Sequence, residues 1–272
     1  MNNLVGISVF AAIVIGLIVI VIKSKNRKKL LQDKLDKTIS DAWQAVLEKR
    51  VLFYKQLNDA DKCVFEKRVQ LFLATKDIEG VETEIDDDIR LMIASSAIIP
   101  TFAFPKYNYP YVKTVLIYPN SFDEKFQTQR YNGHKEFISG MVDSRNQNGT
   151  VILSKPDLIA AFDGLPHKEN VGIHEFVHLL DKEDGAIDGI PEALIKHQYV
   201  GLWLHEIKNE IKIIEEGKSD INPYALTNNA EFLAVVSEYF FSNPEKFKHK
   251  HPELYQHLST IFNREITHES FE

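Results

Sequence analysis

The sequence predicts an α+β fold behind a single N-terminal transmembrane helix. Three observations lead to this prediction. The chain opens with a long uncharged apolar run, strand-like segments fall together between residues 112 and 154, and helical patterns precede and follow them. Helices segregated from a group of strands are typical of α+β domains. About 230 residues follow the apolar run and its basic flank, a length that suits one domain.

The apolar run predicts a membrane span. Residues 4–22 contain no charged side chain, and about 19 such residues can cross a hydrocarbon core of about 30 Å as a helix. A basic stretch follows at once, whereas no Lys or Arg precedes the run and no cleavage site closes it, so a signal peptide is disfavoured. The positive-inside rule places the N-terminus outside and the remaining chain in the cytoplasm. The alternative is a buried soluble helix.

Charge and cysteine usage agree with this topology. Residues 1–37 hold seven Lys or Arg against Asp33 and Asp36, a net charge of +5. Since the whole chain has a net charge of −7, residues 38–272 have a net charge of −12. The basic segment is expected to lie against anionic lipid, while the acidic body argues against nucleic-acid binding. The single cysteine, Cys63, suits a reducing compartment and is expected to be a buried thiol within a helix.

The remaining elements follow from periodicity and from capping residues. We predict a membrane anchor over residues 1–22, a basic juxtamembrane helix or linker over 23–42, and one domain over 43–267. Helices are predicted over 26–51, 59–76, 86–98, 168–181, 191–214 and 230–241, with short helices after residue 243. Strands are predicted over 112–118, 137–142 and 150–154.

The predicted helix over residues 168–181 contains the pattern HExxH. His174 and His178 are four residues apart, so they share one face and can bind one metal ion together. Glu175 can reach a metal-bound water without being a ligand. This pattern is typical of zinc peptidases. The alternative is an ordinary amphipathic helix whose two histidines are satisfied by neighbouring groups.

A catalytic zinc ion usually has three protein ligands. Aspartates at positions 181 and 184 exclude the metzincin pattern, which needs a glycine and a third histidine there. Glu231 and Glu238 lie seven residues apart on one face of an apolar helix, where a carboxylate is expected to be paired or metal-bound. Spacing alone does not choose between these two glutamates.

The chain resembles the zinc-dependent peptidase family of Mlc titration factor A, whose catalytic centre is similar to that of anthrax lethal factor. The resemblance extends from about Trp43 to Arg264. It includes the segments 53–57, 65–69, 93–97, 117–119, 151–154 and 174–191, and the shorter matches 224–225, 231–232, 234–235 and 237–241.

This resemblance implies a zincin-like metallopeptidase domain and assigns its site. It implies that His174, His178 and Glu231 bind one Zn²⁺ ion, that Glu175 is the general base, and that Tyr224 donates a hydrogen bond to the oxyanion. Without the resemblance, Tyr224 would be interpreted as a surface or packing residue. The ligand set alone also leaves the metal open, because two histidines with a carboxylate can hold other divalent ions.

Two further carboxylates remain open. Glu238 is expected either to orient one of the two histidines or to pair with a cation in the core. Asp181 is a second candidate for orienting a histidine, although a solvated position at the helix C-terminus is the expectation for it.

We therefore expect a membrane-anchored cytoplasmic zinc metallopeptidase that acts on peptides or flexible protein segments. Its substrate is expected to add to an edge strand near residues 140–142. The alternative is a catalytically weak or inactive zinc-binding protein that sequesters a regulatory protein partner.

Overall fold

The computed structural model describes Lys25 and residues 38–122, 139–143, 149–166, 169–192 and 194–262. Its contacts divide the chain into the units Met1–Ile39 and Ser40–Glu272, and the elements below belong to the second unit. The predicted membrane span over residues 4–22 lies outside the described residues. Among the residues that are described, no helix is both long and apolar enough to cross a membrane.

The second unit begins with helices α1 (Asp41–Arg50), α2 (Leu52–Lys55), α3 (Asp59–Thr75) and α4 (Asp87–Ile98). A polar side chain caps three of them, because Ser40, Asn58 and Asp86 accept backbone N–H groups of the first turns of α1, α3 and α4. The predicted helix over 26–51 is therefore divided in its described part: α1 starts after Ser40, and Val51 separates it from α2.

Cys63 lies on α3, but it is exposed. The expectation of a buried thiol is wrong, because the buried face of α3 is formed by the residues around Phe65, Val69 and Phe72.

A small mixed sheet follows these helices. Its strands are β1 (Asp77–Gly80), β2 (Val112–Tyr118), β3 (Gly140–Asp143) and β4 (Gly149–Ser154), in the order β1-β2-β4-β3. The β1–β2 and β2–β4 pairs are parallel and the β3–β4 pair is antiparallel. Strand β3 thus forms one edge of the described sheet.

The C-terminal half is helical. It contains α5 (Lys155–Ala161), α6 (Val171–Asp181), α7 (His197–Glu215), α8 (Asn229–Ser242), α9 (Pro244–Lys250) and α10 (Pro252–Ile261). The long helix predicted from residue 191 begins only at His197. The mostly helical structure with its small sheet confirms the α+β class.

Helix α6 lies at the centre of the core, packed against α4, α8 and the strands β3 and β4. The ring of Phe176 on α6 meets those of Phe72 and Tyr109 at centroid distances of 5.8 and 4.9 Å. Edge-on aromatic pairs of this kind add to the stabilisation from burial. The HExxH helix is consequently held on several sides.

The aromatic loop over residues 102–111 is held by two buried cations on and just after α3. Arg68 donates to the backbone oxygens of Thr101 and Tyr107, and Lys76 donates to those of Tyr109 and Val112. These bonds satisfy cations that burial would otherwise destabilise. The loop covers the core and contributes no residue to the cleft described below.

Candidate metal centre

Helix α6 presents two histidines to one side of the core. Asn170 caps the helix by accepting the N–H of Ile173 at 3.0 Å, and its apolar residues, Phe176 and Val177 among them, are buried. The fixed helix leaves His174 and His178 on a shared face with side chains that are only 13% and 11% exposed. Partial exposure of this kind suits ligands at the base of a cleft.

Helix α8 supplies the third member of the cluster. Asn228 accepts the N–H of Glu231 and so fixes the first turn of α8. Oε2 of Glu231 lies 3.0 Å from Nε2 of His174 and 3.4 Å from Nε2 of His178. The two Nε2 atoms are 3.1 Å apart. Three metal-ligating atoms from two helices therefore face one point.

These separations fit a divalent metal ion. Zinc bonds of about 2.0–2.1 Å in tetrahedral geometry place neighbouring ligand atoms about 3.3 Å apart. The distances of 3.0–3.4 Å in the cluster are close to that value. The structure thus provides two imidazoles and one carboxylate at metal-binding spacing.

Glu238 orients the first histidine. Its Oε1 accepts the Nδ1 proton of His174 at 2.6 Å, and its Oε2 accepts the backbone N–H of Asn170. With the proton on Nδ1, the lone pair of Nε2 is free for a metal ion. Of the two interpretations left open for Glu238, the structure shows the contact with histidine.

The electrostatics of the cluster follow from this pairing. Burial alone lowers the pKa of His174, but the carboxylates of Glu238 and Glu231 outweigh it and raise that pKa well above its ordinary value. For Glu231, burial by itself would raise the pKa, but hydrogen bonds from His174 and His178 outweigh burial and lower the pKa to about 2. The carboxylates therefore concentrate negative charge around the two histidines, and this environment suits a divalent cation.

Glu175 lies beside the cluster without joining it. The side chain is 4% exposed. Burial raises the pKa of its carboxyl group to about 7, although the nearby His174 and His178 oppose that change. A carboxylate that titrates near neutral pH can both accept and release a proton.

Tyr224 lies on a short 3-10 turn, Pro223–Leu226, which precedes α8. Asn222 fixes this turn by accepting the N–H of Tyr224 at 3.0 Å. The tyrosine ring lies 6.2 Å from the ring of His174 and is 52% exposed. The structure thus places Tyr224 at the cleft and not in the core.

Asp181 corrects one expectation from the sequence. It is fully buried and not solvated at the end of α6. Its Oδ2 accepts the N–H of Gly189 at 2.8 Å, and Gly189 in turn accepts from the indole of Trp203. Asp181 therefore fixes the chain that leaves α6.

A cleft of about 1480 Å³ opens onto these groups. Its described walls come from strand β3, helices α5, α6 and α8, and the chain around Tyr224. Sequence reasoning missed two asparagines that shape the site, Asn170 and Asn222. Both are cap residues, and their position before a helix or turn is the signal that could have identified them.

A small mixed sheet, an HExxH helix and a glutamate from a following helix together define a metallopeptidase-like protein. Comparison with known families agrees. The family described as glucose-regulated metallo-peptidase M90 matches residues 22–263. The chain belongs to this family, and the resemblance inferred from the sequence is confirmed.

Individual relatives are similar over shorter stretches. An uncharacterised protein of Synechocystis sp. is 32% identical over 227 residues, which cover 81% of this chain and 82% of that protein. The Mlc titration factors A of Escherichia fergusonii and Cronobacter sakazakii are each 35% identical over 161 residues, 56% of this chain. The matched region spans 59% of each of these two titration factors.

Proposed function

We propose that this chain is a membrane-anchored zinc metallopeptidase that hydrolyses peptide bonds. The supporting observation is the triangle of His174, His178 and Glu231 at metal-binding distances. The buried Glu175 lies beside it in a large cleft. A structural zinc site usually has four protein ligands. Among the described residues, three ligand atoms converge next to the buried carboxylate of Glu175, and this arrangement favours catalysis.

The residues divide the chemistry between them. Zinc bound by the two histidines and Glu231 would acidify a water molecule and polarise the scissile carbonyl group. Glu175 accepts a proton from the attacking water and transfers it to the leaving amine. Tyr224 donates its hydroxyl proton in a hydrogen bond to the developing oxyanion. Glu238 holds His174 in the tautomer that binds metal.

Strand β3 offers an edge on which a peptide can bind. The N–H of Ser154 donates to the oxygen of Ser139 at 2.8 Å, so these residues form a hydrogen-bonded pair. Because such pairs alternate along an antiparallel ladder, the backbone groups of Gly140 and Val142 point away from β4. An extended peptide can pair with them by strand addition, which tolerates many sequences.

The proposal divides the chain into a membrane anchor, a basic segment and a peptidase domain. Residues 1–22 anchor the protein with the N-terminus outside, residues 23–42 lie against anionic lipid, and residues 43–267 form the peptidase domain in the cytoplasm. The support is the uncharged run over residues 4–22 and the basic stretch after it. The substrate is a peptide or a flexible protein segment.

Peptide cleavage by the full-length chain tests the proposal. The protein is purified in detergent, loaded with zinc, and compared with its Glu175→Gln variant on a broad peptide library. We expect cleavage by the first and none by the second. Asp157→Asn is the matched control. The Asp157 carboxylate lines the same cleft, but it accepts a hydrogen bond from the Ser121 hydroxyl and is not one of the residues of the metal cluster. No cleavage by zinc-loaded protein would reject the peptidase proposal.

The second candidate is a zinc-binding protein that sequesters a regulatory protein. The relatives named Mlc titration factor A favour it. Gel filtration of the Glu175→Gln variant with purified Mlc tests this possibility, because the variant cannot destroy its partner. Co-elution would support sequestration, and separate elution would count against Mlc as the partner.

A further inference from the structure

Gly140 lies where the edge strand meets the HExxH helix. It is buried on β3, next to α6. A Cβ atom at this position would lie 2.6 Å from Oε1 of Glu175 and 2.8 Å from its Cγ. It would also lie 2.8 Å from Cγ2 of Val171. The carboxylate of Glu175 thus occupies the space that any other residue at position 140 would fill.

The three obstructing atoms differ in how they can respond. The Glu175 carboxylate ends a flexible side chain and can rotate away, whereas Val171 is β-branched and has restricted rotamers. A methyl group at position 140 is therefore expected to displace the carboxylate, whereas its contact with Val171 is relieved only by a small separation of β3 from α6. A moved carboxylate would leave the metal ligands intact.

We propose that Gly140 is a positioning residue that holds the Glu175 carboxylate beside the metal ligands by leaving room for it. This inference rests on the proposed peptidase function and assigns a role to one residue outside the HExxH helix. The same residue directs its backbone N–H and C=O groups to the open edge of β3. Gly140 consequently has two roles, because its backbone can pair with the peptide and its lack of a side chain leaves room for the general base.

The two roles of Gly140 can be separated by kinetics. Alanine retains the backbone groups that pair with substrate, so Gly140→Ala is expected to leave KM unchanged. It displaces the base, and an error of about 1 Å in a reacting group can reduce the rate about 10²-fold. We expect kcat to fall by about that factor, with metal content close to that of the wild type and a lowered thermal unfolding temperature, because the methyl group also overpacks the contact with Val171.

Two further variants test whether the loss acts through Glu175. Because Glu175→Gln is expected to be inactive, Glu175→Asp serves as the background: its shorter side chain leaves room for the methyl group, so Gly140→Ala is expected to cause less additional loss in kcat there than in the wild type. Val171→Ala removes the Cγ2 atom that the new methyl group would also meet. Combined with Gly140→Ala, it is expected to leave kcat low, because the methyl group still displaces the Glu175 carboxylate. Recovery of kcat in that double variant would show that strand–helix packing is the cause and would overturn the proposal.

A structural measurement separates this inference from the proposed function. Crystal structures of the metal-free wild type and of metal-free Gly140→Ala are compared. In the variant, we expect the Glu175 carboxylate to lie farther from β3 than in the wild type. If the wild type cleaves peptides and the variant keeps its kcat, the inference fails and the peptidase proposal stands. If the wild type cleaves nothing, the peptidase proposal fails. An unmoved carboxylate overturns the inference in either case.

Discussion

At the scale of single residues, Glu238 is the side chain that prepares His174 for metal binding. It accepts the Nδ1 proton at 2.6 Å and leaves Nε2 facing His178 and Glu231. We expect Glu238→Gln to weaken metal affinity by about 10–100-fold, the usual effect of losing such a partner. A competition titration against a chelator measures this. Glu245→Gln, an exposed change on α9, is the control and should leave the affinity unchanged.

Tyr224 allows a prediction about rate without a change in metal binding. Its hydroxyl is the proposed oxyanion donor, and removal of one such donor typically costs about 10²-fold in kcat. Tyr224→Phe should therefore reduce kcat by about that factor while metal content stays the same. Tyr199→Phe, an exposed tyrosine on α7, provides the control. Equal kcat values for wild type and Tyr224→Phe would remove Tyr224 from the mechanism.

The site was partly predictable because helical periodicity is local. The spacing of His174 and His178 determines a shared face in any helix. Glu231 and Glu238 also share a face, and only the packing of α8 on α6 decides that Glu231 reaches Nε2 while Glu238 reaches Nδ1. Asp181 was misjudged because a polar residue at a helix end is solvated unless the following chain covers it.

At the scale of elements, the contact between α4 and α6 depends on a second glycine. A Cβ on Gly172 would overlap Oγ and Cβ of Ser96 on α4. Gly172→Ala should destabilise the protein by about 1–3 kcal/mol, the usual cost of overpacking. Chemical denaturation measures the change.

Gly201 provides the matched control for this prediction. It lies within α7, and a Cβ there would meet nothing within 4 Å. Gly201→Ala should therefore stabilise the protein by about 0.5–1 kcal/mol, since alanine favours helix more than glycine does. A similar loss of stability in both variants would show that close packing at Gly172 is not the cause.

The elements missed from the sequence are short ones. Strand β1 has four residues, and only Ile78 is buried, so no alternation marks it as a strand. It exists because β2 offers a parallel partner. Helix α5 has seven residues, with Leu158 its buried residue. Such segments take their structure from tertiary neighbours, whereas the longer α3, α6 and α8 could be predicted from their own residues.

At the scale of the whole molecule, a charged network joins five segments of the C-terminal half. His251, which lies between α9 and α10, is 3.0 Å from Asp220 and 3.6 Å from Glu210 on α7. Asp220 also accepts from Tyr239 on α8 and pairs with Lys246 on α9. Burial lowers the pKa of His251, but the carboxylates of Glu210 and Asp220 outweigh burial and raise it.

This raised pKa predicts a pH-dependent stability. A histidine whose folded pKa exceeds its unfolded pKa, about 6.5, stabilises the fold fully below that pH. The contribution is lost as pH rises through the folded pKa. The unfolding free energy of the wild type should therefore exceed that of His251→Gln at pH 5.5, and the difference should shrink toward pH 9. A constant difference would show that His251 acts through packing alone.

Membrane anchoring can be tested by comparing the full-length protein with two truncated variants. The full chain should remain in the membrane pellet after alkaline carbonate extraction, because the apolar run over residues 4–22 would be inserted. A variant beginning at residue 38 should move to the supernatant. A variant beginning at residue 23 keeps the basic segment, and it should bind anionic vesicles in a salt-sensitive manner.

Cys63 reports the orientation. It is the single cysteine of the chain and is exposed on α3. A membrane-impermeant maleimide should therefore label the protein in inverted vesicles but not in intact cells if the proposed span, with positive residues after it, retains the domain in the cytoplasm. A Cys63→Ser variant controls for labelling at other groups. Labelling in intact cells would place the domain outside and would contradict the proposed reducing compartment.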